Sequence, residues 1–344
     1  MKIVADKAIP FLQGVFEPYA EVVYREGGAI CAEDVRDADA LITRTRTRCD
    51  AALLEGSSVR IIASATIGVD HIDMQWCDSH GITVRNAAGC NANGVVQYVF
   101  SALYGTAARK AISLKDATIG IIGVGQVGSR VESMARSLGF RVLLNDPPRE
   151  AAEGSFGFSS LDTLLEESDI VTLHVPLDPD TRAMAGKDFF RKMKDGAFFI
   201  NACRGEVVDE QALMNARYRL GPVIIDTWNN EPDINRELMA MVDIATPHIA
   251  GYSYQGKQNG TADAVRAVAH YFGIERLYDF FPKAELPCNE AVKLDFRGHT
   301  QGEIAAMLQY NYPIFTDDFM FRMNPGDFEK LRENYNYRSE IYIE

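Results

Sequence analysis

Short β-rich runs alternate with helical stretches along most of this chain, and this alternation is the strongest constraint on its fold. The first series has runs at 3–5, 22–24, 40–43, 61–65 and 82–84, with helix-like pieces at 51–55 and 72–80. The second series begins at residue 117 and has later runs at 142–144, 170–174, 197–201, 223–226 and 244–246. Because such alternation is typical of parallel strands joined by crossover helices, the sequence predicts an α/β fold.

The predicted elements fall into three groups. A long helix expected at 93–108 separates the two strand series, and a helix expected at 260–272 follows the second one. Breaks at Phe281-Pro282 and Leu286-Pro287 then precede a tail rich in Tyr, Phe, Asp and Glu. We predict the following units: an α/β substrate domain at 1–92 and 256–285, a dinucleotide-binding domain inserted at 93–255, and a small C-terminal domain at 286–344.

The composition excludes several kinds of partner and location. The formal charge of −13 argues against nucleic acid or an anionic membrane, because the field of the whole protein repels polyphosphate. The N-terminus lacks a signal peptide, and no stretch approaches the roughly 18 apolar residues of a membrane span. The 6 cysteines form no Cys-x-x-Cys pair, which predicts reduced thiols and no metal site. We therefore expect a cytoplasmic protein that binds any anionic ligand through local arginines or lysines.

A G-x-G-x-x-G motif, Gly123-Val124-Gly125-Gln126-Val127-Gly128, stands in the context that nucleotide binding requires. An apolar run at 119–122 leads into it, a helical stretch at 129–138 leads out, and Asp146 ends the next predicted strand. Glycines allow a tight turn close to a pyrophosphate, which the N–H groups at the helix start then bind. Asp146 would bind the adenosine ribose and repel a 2′-phosphate, so we predict NAD. The alternative is a glycine-rich turn in a protein that binds no nucleotide.

Three polar segments follow the last three predicted strands: NACRG (201–205), DTWNNEP (226–232) and TPHIAG (246–251). Ligands of α/β sheets bind at the carboxyl ends of strands, so these segments are candidates for a site. Hydride transfer from a 2-hydroxy acid needs a cation for the carboxylate, a group that exchanges the hydroxyl proton, and a group that orients it. Arg204, His248 and Glu231 supply one of each. Each residue alone is more often structural, and only their joint occurrence after a nucleotide motif favours catalysis.

Five segments resemble the D-isomer-specific 2-hydroxy acid dehydrogenase family: ASATIGVDHID (63–73), GVGQVG (123–128), NACRGEVVDEQAL (201–213), DTWNNEP (226–232) and TPHIAGYS (246–253). The similarity covers about residues 1–280. It implies a Rossmann domain inserted in a flavodoxin-like α/β substrate domain, plus a small α+β C-terminal dimerisation domain. It also implies that Arg204, Glu231 and His248 are catalytic.

With the glycine motif, the resemblance implies a set of NAD contacts without any metal. These are Gly123, Gly125, Gln126, Val127, Gly128, Asp146, Val175, Ala202, Cys203, Arg204, Asp226 and Gly251. Val175 stands where the family has Thr, so a contact there would come from the backbone. Cys203 is expected to matter by its position and not by thiol chemistry.

A subgroup of the family that acts on a phosphorylated 2-hydroxy acid resembles nearly the whole chain. The pointers are AGCN (88–91), LNDPP (144–148), DIATPHIAGYSYQGK (243–257) and FEKLRENY (328–335). In that subgroup two hydroxyl residues and a tyrosine contact the substrate, and the matching positions here are Thr45, Thr66 and Tyr252. The subgroup's tail forms a dimerisation domain, which implies a homodimer; the alternative is a tail that packs only on its own chain.

A substrate phosphate needs a cation besides Arg204, and the richest candidate is the segment 43–48, TRTRTR, after the third predicted strand. In an extended segment its three arginines would share one face, whereas a turn after Thr45 would break that alternation. We predict that Arg44 and Thr45 bind the phosphate and that Arg46 and Arg48 form a solvated rim. The next candidates are Lys257, Arg332 and Arg338.

The sequence therefore predicts NAD-dependent oxidation at C2 of a small phosphorylated 2-hydroxy acid. In this interpretation neutral His248 takes the hydroxyl proton, Arg204 holds the carboxylate and C2 oxygen, and Glu231 orients His248. One rival is a dehydrogenase for another D-2-hydroxy acid, such as phosphoglycerate or glycerate. A rival from another class is an NAD-sensing protein without enzymatic activity on the same fold.

Overall fold

The computed structural model describes residues 1–283 and 290–343, which form two compact units. The N-terminal unit comprises Met1–Asn91 and Ser253–Glu290, and the central unit comprises Ala92–Tyr252 and Ala291–Glu344. The tail thus belongs to the central unit. The predicted boundary at 285/286 lies outside the described residues, and the division into three domains stays a prediction.

Strands and helices alternate as the sequence predicts. Within the described residues the strands are β1 (Lys2–Asp6), β2 (Glu21–Arg25), β3 (Ala40–Thr43), β4 (Ile61–Ser64), β5 (Thr83–Asn86), β6 (Thr118–Ile122), β7 (Arg141–Asn145), β8 (Ile170–Leu173), β9 (Phe198–Asn201), β10 (Val223–Ile225), β11 (Ile244–Ala245), β12 (Val292–Leu294) and β13 (Ile341–Ile343). The α-helices are α1 (Ala32–Val35), α2 (Ala51–Leu54), α3 (Met74–Ser79), α4 (Ala92–Arg109), α5 (Gly128–Ser137), α6 (Pro147–Glu153), α7 (Leu161–Glu167), α8 (Lys187–Lys192), α9 (Glu210–Ala216), α10 (Arg236–Met241), α11 (Tyr254–Phe272), α12 (Gln301–Asn311), α13 (Ile314–Met323) and α14 (Phe328–Glu333). None of these helices is long and apolar enough to cross a membrane.

The sheet of the N-terminal unit is parallel, with the strand order β2-β1-β3-β4-β5. This is the flavodoxin-like order, which confirms the predicted fold class. Alternate residues of β1, β3 and β4 join two separate apolar clusters, one on each face of the sheet. Both faces are therefore covered, as the short apolar strands predict.

Helix α11 begins at Tyr254, earlier than the predicted start at residue 260. The prediction was wrong because Gly256 and Gly260 disfavour a helix by intrinsic propensity. The hydroxyl of Ser253 caps the helix by accepting the N–H of Gly256 at 3.0 Å. A Cβ atom at Gly260 would lie 2.4 Å from the carbonyl oxygen of Ala65, so this glycine lets the helix approach the loop after β4.

The sheet of the central unit is parallel with the order β11-β10-β9-β8-β6-β7, and the chain changes direction across the sheet at β6. This is the strand order of a Rossmann sheet. Beside β7, the N–H of Ser159 donates to the carbonyl oxygen of Leu144 at 2.7 Å. The switch point between β6 and β8 is where such sheets bind ligands. The predicted glycine motif follows β6 directly.

The tail is an α+β segment that contributes to the core of the central unit. Strands β12 and β13 pair in parallel. Ile304 and Leu308 of α12 share an apolar cluster with residues of α4, and Phe321 of α13 and Phe328 of α14 join the cluster that contains Trp228. The tail is therefore packed and not an independent extension.

Candidate active site

The glycine motif forms the turn between β6 and α5. Gly123 has φ +84°, and a Cβ atom there would lie 2.7 Å from the carbonyl carbon of His174, which follows β8. A Cβ at Gly128 would lie 2.0 Å from the carbonyl oxygen of Gly123. At Gly125, in contrast, a Cβ would meet nothing within 4 Å, so this backbone borders open space. The residues present therefore fit a pyrophosphate at the start of α5, next to exposed Gln126 and partly buried Val127.

Asp146 is held in place at the end of β7. Its Oδ2 accepts the N–H of Val124 at 2.7 Å, and its Oδ1 accepts the N–H of Arg149 at 3.0 Å. A carboxylate has about four acceptor positions, so capacity remains for a ribose hydroxyl. The nearby cation of Arg149 is bidentate to Glu153, with both distances 2.7 Å. This arrangement favours NAD, because Asp146 would repel a 2′-phosphate and the neighbouring Arg149 is already paired with a carboxylate.

The turn after β9 is fixed by Asn201 and presents Arg204. The Oδ1 of Asn201 accepts the N–H of Cys203 at 3.1 Å, and its Nδ2 donates to the carbonyl oxygen of Arg204 at 3.0 Å. A Cβ at Gly205 would lie 2.0 Å from the carbonyl carbon of Trp228, so glycine allows this turn to touch the loop after β10. Burial raises the pKa of the Cys203 thiol to about 11, which leaves a neutral, unreactive thiol.

Asp226 ties the segment after β11 to the end of β10. The carboxylate is fully buried and accepts the Thr246 hydroxyl at 2.6 Å and the N–H groups of Ile249 and Ala250 at 2.8 and 2.9 Å. The backbone N–H of His248 donates to the backbone carbonyl oxygen of Asp226 at 2.8 Å. Burial raises the pKa of Asp226, although the neighbouring His248 and these donors oppose the rise. The position of His248 is thus set by bonds on both sides of it.

Glu231 and His248 form a direct pair, with 2.8 Å between Oε2 and Nδ1. The other carboxylate oxygen accepts the N–H of Trp228 at 2.9 Å. Burial raises the pKa of Glu231, but His248, the Trp228 N–H and the charge of Arg332 outweigh it, so the pKa lies below its ordinary value. The carboxylate therefore stays charged, orients the imidazole through Nδ1 and leaves Nε2 for proton exchange. His248 also has φ 55°, a region that non-glycine residues seldom occupy and that is frequent at functional sites.

The other predicted cofactor contacts lie in loops at the same edge of this sheet. Val175, Ala202 and Gly251 follow β8, β9 and β11, and all three are partly buried. Arg204, Asp226 and His248 follow three adjacent parallel strands. The structure thus brings the predicted proton-transfer and cofactor residues of the central unit to one edge.

In the N-terminal unit, Arg44 follows β3 and is bound to Asp6 at the end of the neighbouring strand β1. Its Nε lies 2.8 Å from Oδ2 of Asp6, whose side chain is fully buried. A Cβ at Gly27 would lie 2.5 Å from the same oxygen, so glycine makes room for this carboxylate. The predicted turn is present at Thr45, which is exposed, and Arg48 is 86% exposed as a solvated rim requires.

Thr66 and Tyr252, the other predicted substrate contacts, have different surroundings. The hydroxyl of Thr66 lies 2.8 Å from that of Ser64 in the N-terminal unit. In the central unit, the Tyr252 ring packs edge-on against Tyr335 and Tyr337 of the tail, with ring centroids 5.9 and 6.1 Å away. The tail therefore forms part of the environment of a predicted site residue.

Asp6 was not among the residues predicted from the sequence, and Arg332 and Arg338 were predicted only as candidates for the substrate phosphate. Ligands of parallel sheets gather at the carboxyl ends of strands. Applied to β1, this rule places Asp6 beside the residue that follows β3. Arg338, a predicted phosphate candidate, is buried and donates to the carbonyl oxygens of Ile249, Ala250 and Tyr252. Arg332, another candidate, has its guanidinium carbon 5.8 Å from the centroid of the Tyr252 ring, and it interacts electrostatically with Glu231. These tail contacts join residues far apart in sequence, and no local pattern signals them.

Comparisons with known proteins agree with this geometry. The model for "D-isomer specific 2-hydroxyacid dehydrogenase, NAD binding domain" matches residues 96–250. Erythronate-4-phosphate dehydrogenase of Bacteroides fragilis is 44% identical over 99% of this chain and 97% of its own length. The protein of the same name from Porphyromonas gingivalis is 40% identical over 99% of this chain and 94% of its own.

A solved structure extends the comparison to three dimensions. The 3-phosphoglycerate dehydrogenase of Entamoeba histolytica with bound NAD+ is 28% identical, with a TM-score of 0.68 over 79% of this chain and 95% of its own. The chain therefore shares its overall fold with a dehydrogenase of known structure. The chain belongs to the NAD-dependent D-isomer-specific 2-hydroxyacid dehydrogenase family.

Proposed function

We propose that this chain oxidises 4-phospho-D-erythronate to (R)-3-hydroxy-2-oxo-4-phosphobutanoate with NAD, in the biosynthesis of pyridoxal 5′-phosphate (vitamin B6). The observation that carries the proposal is the Glu231–His248 pair, 2.8 Å apart, in the unit that also holds the glycine turn. Relatives of 40–44% identity over 99% of the chain bear the name of this activity.

The reaction breaks the C2–H and O–H bonds of the substrate and forms a C2 carbonyl. The hydroxyl proton moves to Nε2 of neutral His248, and Glu231 stabilises the resulting imidazolium through Nδ1. NAD bound at the glycine turn supplies the acceptor for the hydride that leaves C2. Arg204 binds the carboxylate and the C2 oxygen, where its planar fork matches two oxygens. Asp146 binds the adenosine ribose.

The contacts proposed for the rest of the substrate are the predicted substrate-binding residues. Arg44 and the Thr45 hydroxyl bind the phosphate, and Thr66 and Tyr252 provide hydroxyl contacts. The ion pair with Asp6 fixes the direction of the Arg44 guanidinium and offsets part of its charge. We therefore assign Arg44 a charge-assisted hydrogen bond to the phosphate in addition to a general electrostatic effect.

The protein is further proposed to be a cytoplasmic homodimer that pairs through its tail. Support comes from the exposed apolar face of α13, where Phe319, Met320 and Met323 are 59%, 45% and 64% exposed. Clustered apolar side chains of this kind are typical of protein–protein interfaces. The substrate domain at 1–92 and 256–285, the NAD domain at 93–255 and the dimerisation domain at 286–344 belong to the same proposal.

A substrate panel tests the reaction. Purified protein is given NAD with 4-phospho-D-erythronate, D-erythronate, D-3-phosphoglycerate or D-glycerate, and the formation of NADH is followed by absorbance. We expect the highest kcat/KM with 4-phospho-D-erythronate. A higher value with phosphoglycerate or glycerate would establish the rival dehydrogenase, which shares the same proton-transfer residues. NAD binding without turnover of any hydroxy acid would instead favour the NAD-sensing protein.

A further inference from the structure

Arg332 of α14 is a partly buried cation at the boundary between the tail and the candidate active site. Its side chain is only 16% exposed, and its NH1 lies 3.2 Å from Oε1 of Glu329. The guanidinium carbon lies 5.8 Å from the centroid of the Tyr252 ring, within the range of a cation–π contact. Its Nε is buried and has no hydrogen-bond partner among the residues that the structure describes. The guanidinium carbon also lies 5.6 Å from the centroid of the Phe328 ring, so Tyr252, a predicted substrate contact, is one of its aromatic neighbours.

The charge of Arg332 also acts on the proton-transfer pair. Burial lowers the pKa of Arg332, but Tyr252, Glu329 and Glu231 raise it above its ordinary value, so the guanidinium remains charged. In the other direction, Arg332 contributes to the lowered pKa of Glu231. Two residues of the candidate site therefore face this one tail side chain.

We propose that Arg332 is a positioning residue of the dehydrogenase, which holds the Tyr252 ring and favours neutral His248 by balancing the charge of Glu231. This inference rests on the proposed function of the Glu231–His248 pair as the proton acceptor in oxidation. It assigns to the tail a part in the active site of its own chain, separate from dimerisation.

The direction of the effect follows from the charges around the pair. Glu231 and Asp226 are the carboxylates that face His248, and both stabilise imidazolium. Arg332 opposes them from α14, Glu329 on the same helix partly neutralises Arg332, and the Trp228 N–H binds Glu231. Oxidation needs neutral imidazole, so a positive charge next to Glu231 lets the reaction proceed at lower pH.

The experiment compares Arg332→Gln, Arg332→Lys and Glu329→Gln with the wild type on whichever 2-hydroxy acid the wild type oxidises. The control is Lys330→Gln, which removes a charge from the same helix at a side chain that is 72% exposed. For each variant we measure kcat and KM across pH, the Kd of NAD by fluorescence, the melting temperature, and the mass in solution by light scattering.

For Arg332→Gln we expect kcat to fall about tenfold and the pH midpoint of the rate to rise by about half a unit or more, with the dimer and NAD binding kept. Glu329→Gln leaves Arg332 less neutralised and should move the midpoint to lower pH. Arg332→Lys should restore the midpoint but only part of kcat, because an ammonium lacks the planar face that meets the Tyr252 ring. Lys330→Gln should match the wild type.

An unchanged midpoint in both Arg332→Gln and Glu329→Gln would overturn the proposal, as would a midpoint that moves equally in Lys330→Gln. If Arg332→Gln does not fold, Arg332→Lys and Glu329→Gln decide the question alone, since each keeps a cation at this position. A wild type that prefers another hydroxy acid would refute the proposed substrate and leave this comparison intact.

Discussion

The strand-end loops of the central unit and the loop after β3 of the N-terminal unit hold their site residues in different ways. Asp226 accepts three hydrogen bonds from the segment that carries His248, and Glu231 binds both His248 and the Trp228 N–H. Arg44 meets the carboxylate of Asp6, while Thr45 beside it is exposed. The groups proposed for proton transfer are therefore positioned by hydrogen bonds within their own unit, whereas the groups proposed for the phosphate depend on an ion pair and a surface turn. Proton transfer is common to all 2-hydroxy acids and needs groups that are held in place. Substrate choice can vary through changes in a surface turn such as the one after β3.

The largest effect is expected for Glu231→Gln, which removes a charge from the strand-end loops of the central unit. We expect kcat to fall about a hundredfold or more, because His248 loses the group that stabilises its imidazolium. The pKa of Glu231 lies below its ordinary value, so the carboxylate is charged throughout the assay and the pH dependence is not its own titration. Without that charge the rise of rate with pH should move to lower pH.

The matched control is Glu237→Gln, at an exposed glutamate in the first turn of α10. It should leave the profile unchanged. An unshifted pH profile in Glu231→Gln would mean that the glutamate does not act on the histidine.

Two alanine substitutions in the glycine turn separate cofactor binding from folding. Gly125→Ala projects a methyl group into open space, so we expect normal stability and a Kd for NAD about tenfold higher, since the methyl occupies the region proposed for the pyrophosphate. Gly128→Ala places a methyl 2.0 Å from the carbonyl oxygen of Gly123 and should lower stability by roughly 1–3 kcal/mol. Isothermal titration calorimetry and thermal unfolding measure the two effects. Wild-type NAD affinity in Gly125→Ala would contradict the assignment of this turn.

Arg44→Ala tests the loop after β3 in the N-terminal unit. A charge-assisted contact is typically worth about 1.5–3 kcal/mol, so kcat/KM for 4-phospho-D-erythronate should fall by about one to two orders of magnitude. The rate with unphosphorylated D-erythronate should barely change. Arg48→Ala is the control, because that side chain is 86% exposed. Equal losses on both substrates would show that Arg44 and Asp6 serve the fold, and the phosphate would need another cation.

The smallest effect on activity is expected for Phe319→Glu on the exposed face of α13. A charge in a dimer interface should give monomers in light scattering, while the melting temperature and kcat stay close to those of the wild type. Tyr218→Glu, at a side chain that is 89% exposed outside the tail, is the control. A Phe319→Glu protein that remains dimeric would place the interface elsewhere. A deletion of the tail is less informative, because Leu308 and Phe321 belong to the core of the central unit.

The structural features that could be predicted from the sequence are those encoded by a short segment next to a strand. The glycine turn, Asp146 and the loops that carry Arg204, Glu231 and His248 each follow a buried apolar run, and parallel pairing brings the ends of such runs together. Helix α4 was expected at 93–108 and is observed at Ala92–Arg109, because its apolar residues keep a helical spacing over its whole length.

Features that the sequence did not reveal depend on contacts between distant segments. The pairing of Asp6 with Arg44 spans 38 residues. Arg332 of the tail interacts with Glu231 and Tyr252, which lie far upstream in the sequence. The start of α11 at Tyr254, before the predicted residue 260, likewise depends on packing, because Gly260 admits the carbonyl oxygen of Ala65. The conformation and contacts of these residues depend on tertiary packing and not on local propensity.

The buried guanidinium of Arg338 also bears on the order in which the protein is made. It donates to the carbonyl oxygens of Ile249 and Tyr252, residues that leave the ribosome 89 and 86 positions ahead of it. The loop that carries His248 can therefore reach its final form only when nearly all of the tail has been translated. A chain that ends immediately before residue 338 would keep Leu308 and Phe321 in the core of the central unit, but it would lack the cation that binds these carbonyl oxygens.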